Sequence, residues 1–173
     1  MYKGITIRPI SDCSRLYFYQ KSETLYQLTY TFINRYLAQN DRTRDQMLQA
    51  ARSGKQNIVE GVANGATSLK MEVQLLNVSR SSFRELREDY MDYLHTRGLS
   101  HWQKDHPRFT GMVQYCKHHN ESRDYERFVH KLNDEELANL AITLSCQIDA
   151  LMQSYQTKIV NEASLGRCFV GEA

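Results

Sequence analysis

Proline is almost missing from this chain. Pro9 and Pro107 are the only two, so the long stretches between and after them carry nothing that removes a backbone donor or blocks helical φ. Apolar residues in those stretches recur at steps of three and four, the spacing of one helical face. Strict apolar/polar alternation, the mark of a strand, is scarce. The chain therefore reads as all-α.

Four long helices follow from this spacing. The first runs from about Ser14 to Leu37, with Leu16, Leu25, Leu28, Phe32 and Tyr36 on its apolar side. Asn40-Asp41 interrupts the pattern and offers a cap for the second helix, about Arg42 to Glu60. Met47, Ala51, Ile58 and Val62 form that helix's stripe. Gly54 sits among them at a cost of about 1 kcal/mol against alanine, which predicts close approach of another helix. Gly61 and Gly65 are expected to end the helix and open a loop. The third helix, about Leu69 to Thr96, carries Leu76, Ser79, Phe83, Leu86, Tyr90 and Tyr93 in alternating steps of three and four, the seam of an antiparallel bundle. Gly98 stops it. The fourth starts at Asn133-Asp134-Glu135-Glu136, a cap residue with Glu three positions later and acids in the first turn. Its stripe is Leu137, Leu140, Ala141, Leu144, Ile148, Leu151, Met152, Tyr155 and Ile159, and a loosely held tail is expected from about residue 163.

Residues 99–132 break the pattern. Asp105-His106-Pro107 suits a helix start, predicting one short helix to about His118 and another from about Ser122 to Leu132. Trp102 is expected to pack on the bundle. The expected architecture is one domain: an up-down antiparallel four-helix bundle with a short helical insertion between helices 3 and 4. Residues 14–97 form the first three helices, 99–132 the insertion, 133–162 the fourth helix and 163–173 the tail. An irregular arm held by Pro9 precedes them.

Composition narrows the function classes. The longest apolar run, Leu16-Tyr17-Phe18-Tyr19, is far short of the roughly 20 residues of a membrane span, and the N-terminal stretch lacks a signal-peptide core. A cytoplasmic, membrane-free protein is the expectation. Cys13, Cys116, Cys146 and Cys168 form neither a CxxC pair nor a compact disulfide framework. Cys146 is expected to be a buried thiol. Cys116-Lys117-His118-His119 reads as a solvated helix end, since no second arm completes four metal ligands. No phosphate-loop, nucleophile-elbow or HExxH motif occurs. Glu60 and Glu85 make a conceivable carboxylate pair, but no Glu-x-x-His accompanies them. The expectation is a non-enzyme without metal or cofactor.

Charge gives the best binding signal. The net charge is only +2, but residues 1–55 carry nine Lys/Arg against four Asp/Glu, and residues 132–173 carry two against six. The basic end could attract RNA or DNA, or dock on the acidic end of a neighbouring copy. Arg80, Arg84 and Arg87 lie within about 60° on a helical wheel, beside the seam of Phe83, Leu86 and Tyr90. They suit phosphate contact or a helix face held by ion pairs. With Arg52 and Lys55 they form the candidate nucleic-acid-binding set.

The stretch Gln46 to Gly61, QMLQAARSGKQNIVEG, together with Leu75 to Leu86, LLNVSRSSFREL, resembles a bacterial four-helix bundle family. That family includes proteins encoded in intervening sequences of large-subunit ribosomal RNA genes and accessory variability proteins of diversity-generating retroelements. The pattern maps to Ala51-Arg52-Ser53, Asn57-Ile58-Val59-Glu60-Gly61, Arg80, Ser82 and Glu85. WQKDHPRF and NDEELANLAITLSCQIDALM are similar to the subgroup with a four-helix-bundle suffix domain, although the ending NEASLGRCFVGEA departs from it. The resemblance implies a bundle that assembles into a homopentameric ring, with relatives that bind nucleic acid and a reverse transcriptase through a basic surface. It leaves two functional expectations. One is an oligomeric bundle binding nucleic acid or a nucleic-acid-processing partner. The other is an adaptor that binds only proteins and self-assembles. Arg52, Ser53, Asn57, Glu60, Gly61, Ser82 and Glu85 read as a structural network, with Arg52 paired to Glu60 or Glu85 and Asn57 capping a loop.

Overall fold

A computed structural model describes residues 12–168. The expected arm around Pro9 and the last five residues of the tail lie outside the described residues. Within them the chain is all-α. A short 3-10 turn, Cys13–Arg15, leads into α1 (Tyr17–Tyr36), α2 (Thr43–Asn64) and α3 (Leu69–Thr96); α4 (Phe109–His118), α5 (Arg123–Glu126) and a 3-10 turn at Val129–Lys131 form the insertion, and α6 (Asp134–Cys168) closes the fold.

The four long helices make the expected up-down bundle. α1 and α3 each pack on α2 and on α6. Phe18 of α1 meets Tyr155 of α6 with ring centroids 5.2 Å apart, while at the other end the Tyr36 hydroxyl donates to the Leu132 carbonyl just before α6. The two helices are therefore antiparallel. Phe32 packs edge-on against Tyr90 and Tyr93 of α3 across the core. Ser79, Phe83, Leu86, Tyr90 and Tyr93 are all buried, as the seam requires.

Local chemistry sets the helix ends. Ser68 accepts from the Met71 amide at the start of α3, and Gly98, with φ of 64°, follows its end. Asn133 and Glu136 exchange hydrogen bonds, Glu136 N to Asn133 Oδ1 at 2.8 Å and Asn133 N to Glu136 Oε2 at 2.9 Å. This is the reciprocal capping box read from the sequence.

Several boundaries differ from expectation. Gly61 does not end α2, which continues to Asn64. A Cβ at Gly61 would lie 3.3 Å from Leu75 Cβ and 3.4 Å from the Glu72 carbonyl, so this glycine lets α3 approach rather than breaking the helix. The end falls at Gly65, where a Cβ would meet the buried Glu72 carboxylate. Residues 163–168, expected as loose tail, continue α6. The predicted helix from Ser122 to Leu132 shrinks to one turn of α5 and a 3-10 turn.

The insertion is fastened over α1 and α6. Asn139, 1% exposed, accepts from Trp102 N and donates to the Ser100 carbonyl. Trp102 Nε1 donates to Glu135. On the α1 side, Lys21 is buried and its ammonium donates to the carbonyls of Cys116 and His119, closing the C-terminal end of α4. A cation at that end also meets the negative pole of the helix dipole. Burial holds the Lys21 pKa below its usual value. Arg35 reaches the carbonyls of Val129 and Leu132 in the same way. Cys116 is thus fully buried rather than part of a solvated helix end, and burial pushes its thiol up to about 11. Cys146, expected inside, is exposed. It lies one step outside the α6 stripe, next to buried Ser145, whose hydroxyl donates to the Phe83 carbonyl.

Candidate functional site

Most of the residues singled out by sequence divide between the two flanks of α3. Ser53, Asn57, Ser82 and Glu85 lie along the groove between α2 and α3, Arg80, Arg84 and Arg87 lie against α6, and Arg52, Lys55 and Glu60 belong to neither set.

In the groove, close approach of the helices comes first. Gly54 has no side chain because the Phe83 ring occupies the space: a Cβ would lie 2.5 Å from the ring. Ser79 Oγ, buried on α3, donates to the Gly54 carbonyl at 2.7 Å and clamps the crossing. One turn outward, the Ser53 and Ser82 hydroxyls are 3.0 Å apart. Asn57 Nδ2 donates to the Ser53 carbonyl at 2.9 Å and sits 3.3 Å from Ser53 Oγ. Asn57 therefore braces the serine pair within α2 and caps no loop. Gln46, Gln49, Ser53, Ser82, Glu85 and Asp89 line a cavity of about 450 Å³. Burial, then Asp92 and Glu85, raise the Asp89 pKa. This end of the groove favours neutral or cationic groups over phosphate. Beyond Ser82, the same side of α3 carries Leu75, Val78 and Met71, with Val78 49% and Met71 43% exposed.

The expected pairing of Arg52 with Glu60 or Glu85 does not form. All three are exposed, and among the described residues Arg52 has no ion pair. Lys55 lies over the Tyr26 ring at 4.9 Å and so ties α2 to α1.

On the other flank, Arg80, Arg84 and Arg87 share one face, as the wheel predicts, and that face meets α6. Arg80 Nε donates to Asp149 at 2.6 Å and its Nη1 to Gln156 Oε1 at 3.2 Å. Arg84 stands 3.7 Å from the same carboxylate. Arg87 Nη1 donates to Cys146 Sγ at 3.2 Å. Partial burial of Asp149 opposes its ionisation, but the hydrogen bond from Arg80 and the three guanidinium charges outweigh it and hold the carboxyl below its usual range. The ion-pair partner of Arg80 and Arg84 is Asp149, far away in sequence. The basic N-terminal region is similarly spent in part: Lys21, Arg35 and Arg44 all hold backbone carbonyls.

Sequence reasoning missed three features. Lys21 gave no signal, because a lysine on an amphipathic helix reads as solvated. Glu72, 1% exposed, accepts from the Tyr155 hydroxyl at 2.7 Å; Gly65, which leaves room for it, was the available hint. The third is an apolar pocket between the insertion and α6, lined by Trp102, Met112, Tyr115 and Phe128 among others. Among the described residues no group of three or more His, Cys, Asp or Glu is placed to hold a metal ion, and no helix is long and apolar enough to cross a membrane.

Comparison with known proteins gives no matching family model, no matching curated protein and no matching solved structure.

Proposed function

We propose that this protein is a non-catalytic helical adaptor whose ligands are proteins, copies of itself included, and that they dock in the outer α2–α3 groove. The observation that carries this reading is the composition of that groove. Its middle is a serine pair braced by Asn57. One end is apolar and open at Val78 and Met71, and the other is acidic at Glu85 and Asp89. Apolar anchors beside hydrogen-bonding groups and a charged rim suit a partner helix. A nucleic-acid surface would require cations there; of the candidate arginines only Arg52 is on α2, while Arg80, Arg84 and Arg87 lie on the opposite flank of α3, the first two sharing Asp149.

The test is the double change Met71→Glu and Val78→Glu. Both side chains are more than two fifths exposed, so the fold should tolerate them. Light scattering over a concentration series reads assembly, and co-purification reads other partners. Loss of assembly or partner with unchanged circular dichroism supports the proposal. Assembly and partners that survive the change would remove the groove from it. Fluorescence anisotropy with a structured RNA and a matched DNA duplex, at about 50 and 200 mM salt, addresses the competing reading. Salt-sensitive binding that disappears on Arg84→Ala with Arg87→Ala would replace protein by nucleic acid as the ligand.

A further inference from the structure

The apolar pocket beneath the insertion belongs to neither flank of α3 and is independent of the adaptor reading. It lies between α4, the 129–132 segment and α6, with a volume of about 390 Å³. Trp102, Met112, Tyr115, Phe128, Leu132 and Leu140 supply its walls, and Arg108 and Glu136 stand among them as its charged groups. A pocket of this kind, apolar with a few convergent polar groups, is the usual form of a small-molecule site. An apolar cavity of about 150 Å³ already takes a benzene ring, so this one has room for roughly two or three fused rings.

Two further observations point to an occupant. The first is Gly111, in the first turn of α4 and on the pocket wall. A glycine in a helix weakens it, and Gly54 justifies that cost because Phe83 fills its space. At Gly111 a Cβ would meet nothing within 4 Å. Gly111 is exposed and belongs to the pocket lining, so a side chain placed there would meet no protein atom at the pocket's edge. The second is Arg108. It forms an ion pair with Glu136 and lies over the Trp102 ring at 4.8 Å, which fixes the guanidinium at the pocket. Glu136 is already satisfied, accepting from Arg108 and from Asn133 N. Arg108 gives one of its five N–H groups to Glu136 and keeps others to offer.

We propose that this pocket binds a small planar aromatic molecule bearing a negatively charged group, with its rings among Trp102, Tyr115 and Phe128 and its anion on Arg108. Trp102 is the sole tryptophan of the chain, so occupancy reports itself in intrinsic fluorescence. The experiment titrates the full chain with anilinonaphthalene sulfonate and with its uncharged counterpart, N-phenylnaphthylamine, following energy transfer from Trp102. The anionic probe should bind saturably at one site and more tightly than the neutral one. Gly111→Leu, which places a side chain at the pocket's edge, should weaken both probes at least about tenfold (about 1.4 kcal/mol) with the circular dichroism and melting temperature retained. Arg108→Met should weaken the anionic probe about fivefold or more and leave the neutral one within about twofold, consistent with a partly exposed charge-assisted contact. Binding that is unsaturable, or unchanged by Gly111→Leu, overturns the site. Equal effects of Arg108→Met on both probes overturn the anionic specificity. Probe binding that falls as protein concentration rises would mean a second copy covers the pocket, and would overturn the small-molecule assignment.

Discussion

Gly54→Ala adds one methyl group to a helix interior, and on an isolated helix that change would stabilise by about 1 kcal/mol. In this bundle the sign should reverse. The new Cβ would lie 2.5, 2.6 and 2.8 Å from three carbons of the Phe83 ring, where ordinary carbon contacts are about 3.5–4.0 Å. The misfit of about 1 Å must be absorbed somewhere. Phe83 is 1% exposed, so its ring can move only by displacing its packed neighbours. α2 cannot back away without stretching the Ser79 Oγ–Gly54 carbonyl bond of 2.7 Å and orphaning a buried hydroxyl, a cost of about 1–3 kcal/mol. Overpacking costs of about 1–3 kcal/mol apply otherwise. Taking the upper half of that range and subtracting the helix gain leaves a net loss of about 1–2 kcal/mol. For a chain of this size each kcal/mol lowers the melting temperature by about 2–4 °C, so a drop of about 2–8 °C is expected. Urea unfolding followed by circular dichroism measures the free energy directly. Phe83→Leu should relieve the clash, so the double variant should be less destabilised than the sum of the two singles by about 1 kcal/mol. A Gly54→Ala protein as stable as the parent, or strict additivity in the cycle, would refute the argument that Gly54 exists for this crossing.

Asp149→Ala should destabilise by about 1–3 kcal/mol, because it strands the partly buried Arg80; thermal melts check this. The Asp149 carboxyl titrates below its unfolded value when folded, so its contribution is present above about pH 4 and is lost as pH falls through the folded pKa; the acid limb of the stability profile should flatten in the variant. At the alkaline end the sign is opposite in cause: burial, with Glu23, pushes Tyr19 up to about 12, and burial raises Tyr90 and Tyr125 further. The unfolded chain then loses protons first, stability falls as pH rises above about 10, and these phenols should ionise only as the protein unfolds, seen in the near-ultraviolet absorbance. Asn139→Leu should release the Ser100–Trp102 strap and cost about 2–4 kcal/mol from three lost hydrogen bonds and two stranded backbone groups, with new proteolytic cleavage confined to residues 99–132; unchanged protection of that segment would show that Lys21 and Arg35 hold it unaided.

The bundle was legible in the sequence because its causes are local. Periodicity, the scarcity of proline and the Asn133–Glu136 capping box act within a few residues, so the third helix could be placed at both ends and the α3 seam in full. Gly54 as a crossing point was readable for the same reason: a glycine in a strong helix announces a neighbour. What tertiary structure decided were the partners. Nothing near Arg80 in the chain points to Asp149, and a helical wheel places three arginines on one face without saying what faces them. Lys21 is indistinguishable in sequence from a solvated lysine; only the arrival of the α4 terminus buries it. Gly61 reads as a stop until α3 lies against it. Gly111 looks like Gly54, yet the space beside Gly54 is filled by a phenylalanine ring and Gly111 is exposed at the edge of a pocket. Periodicity encodes which face of a helix turns inward, whereas the identity of the atoms it meets depends on contacts between residues far apart in the chain, and those are set only when the helices pack.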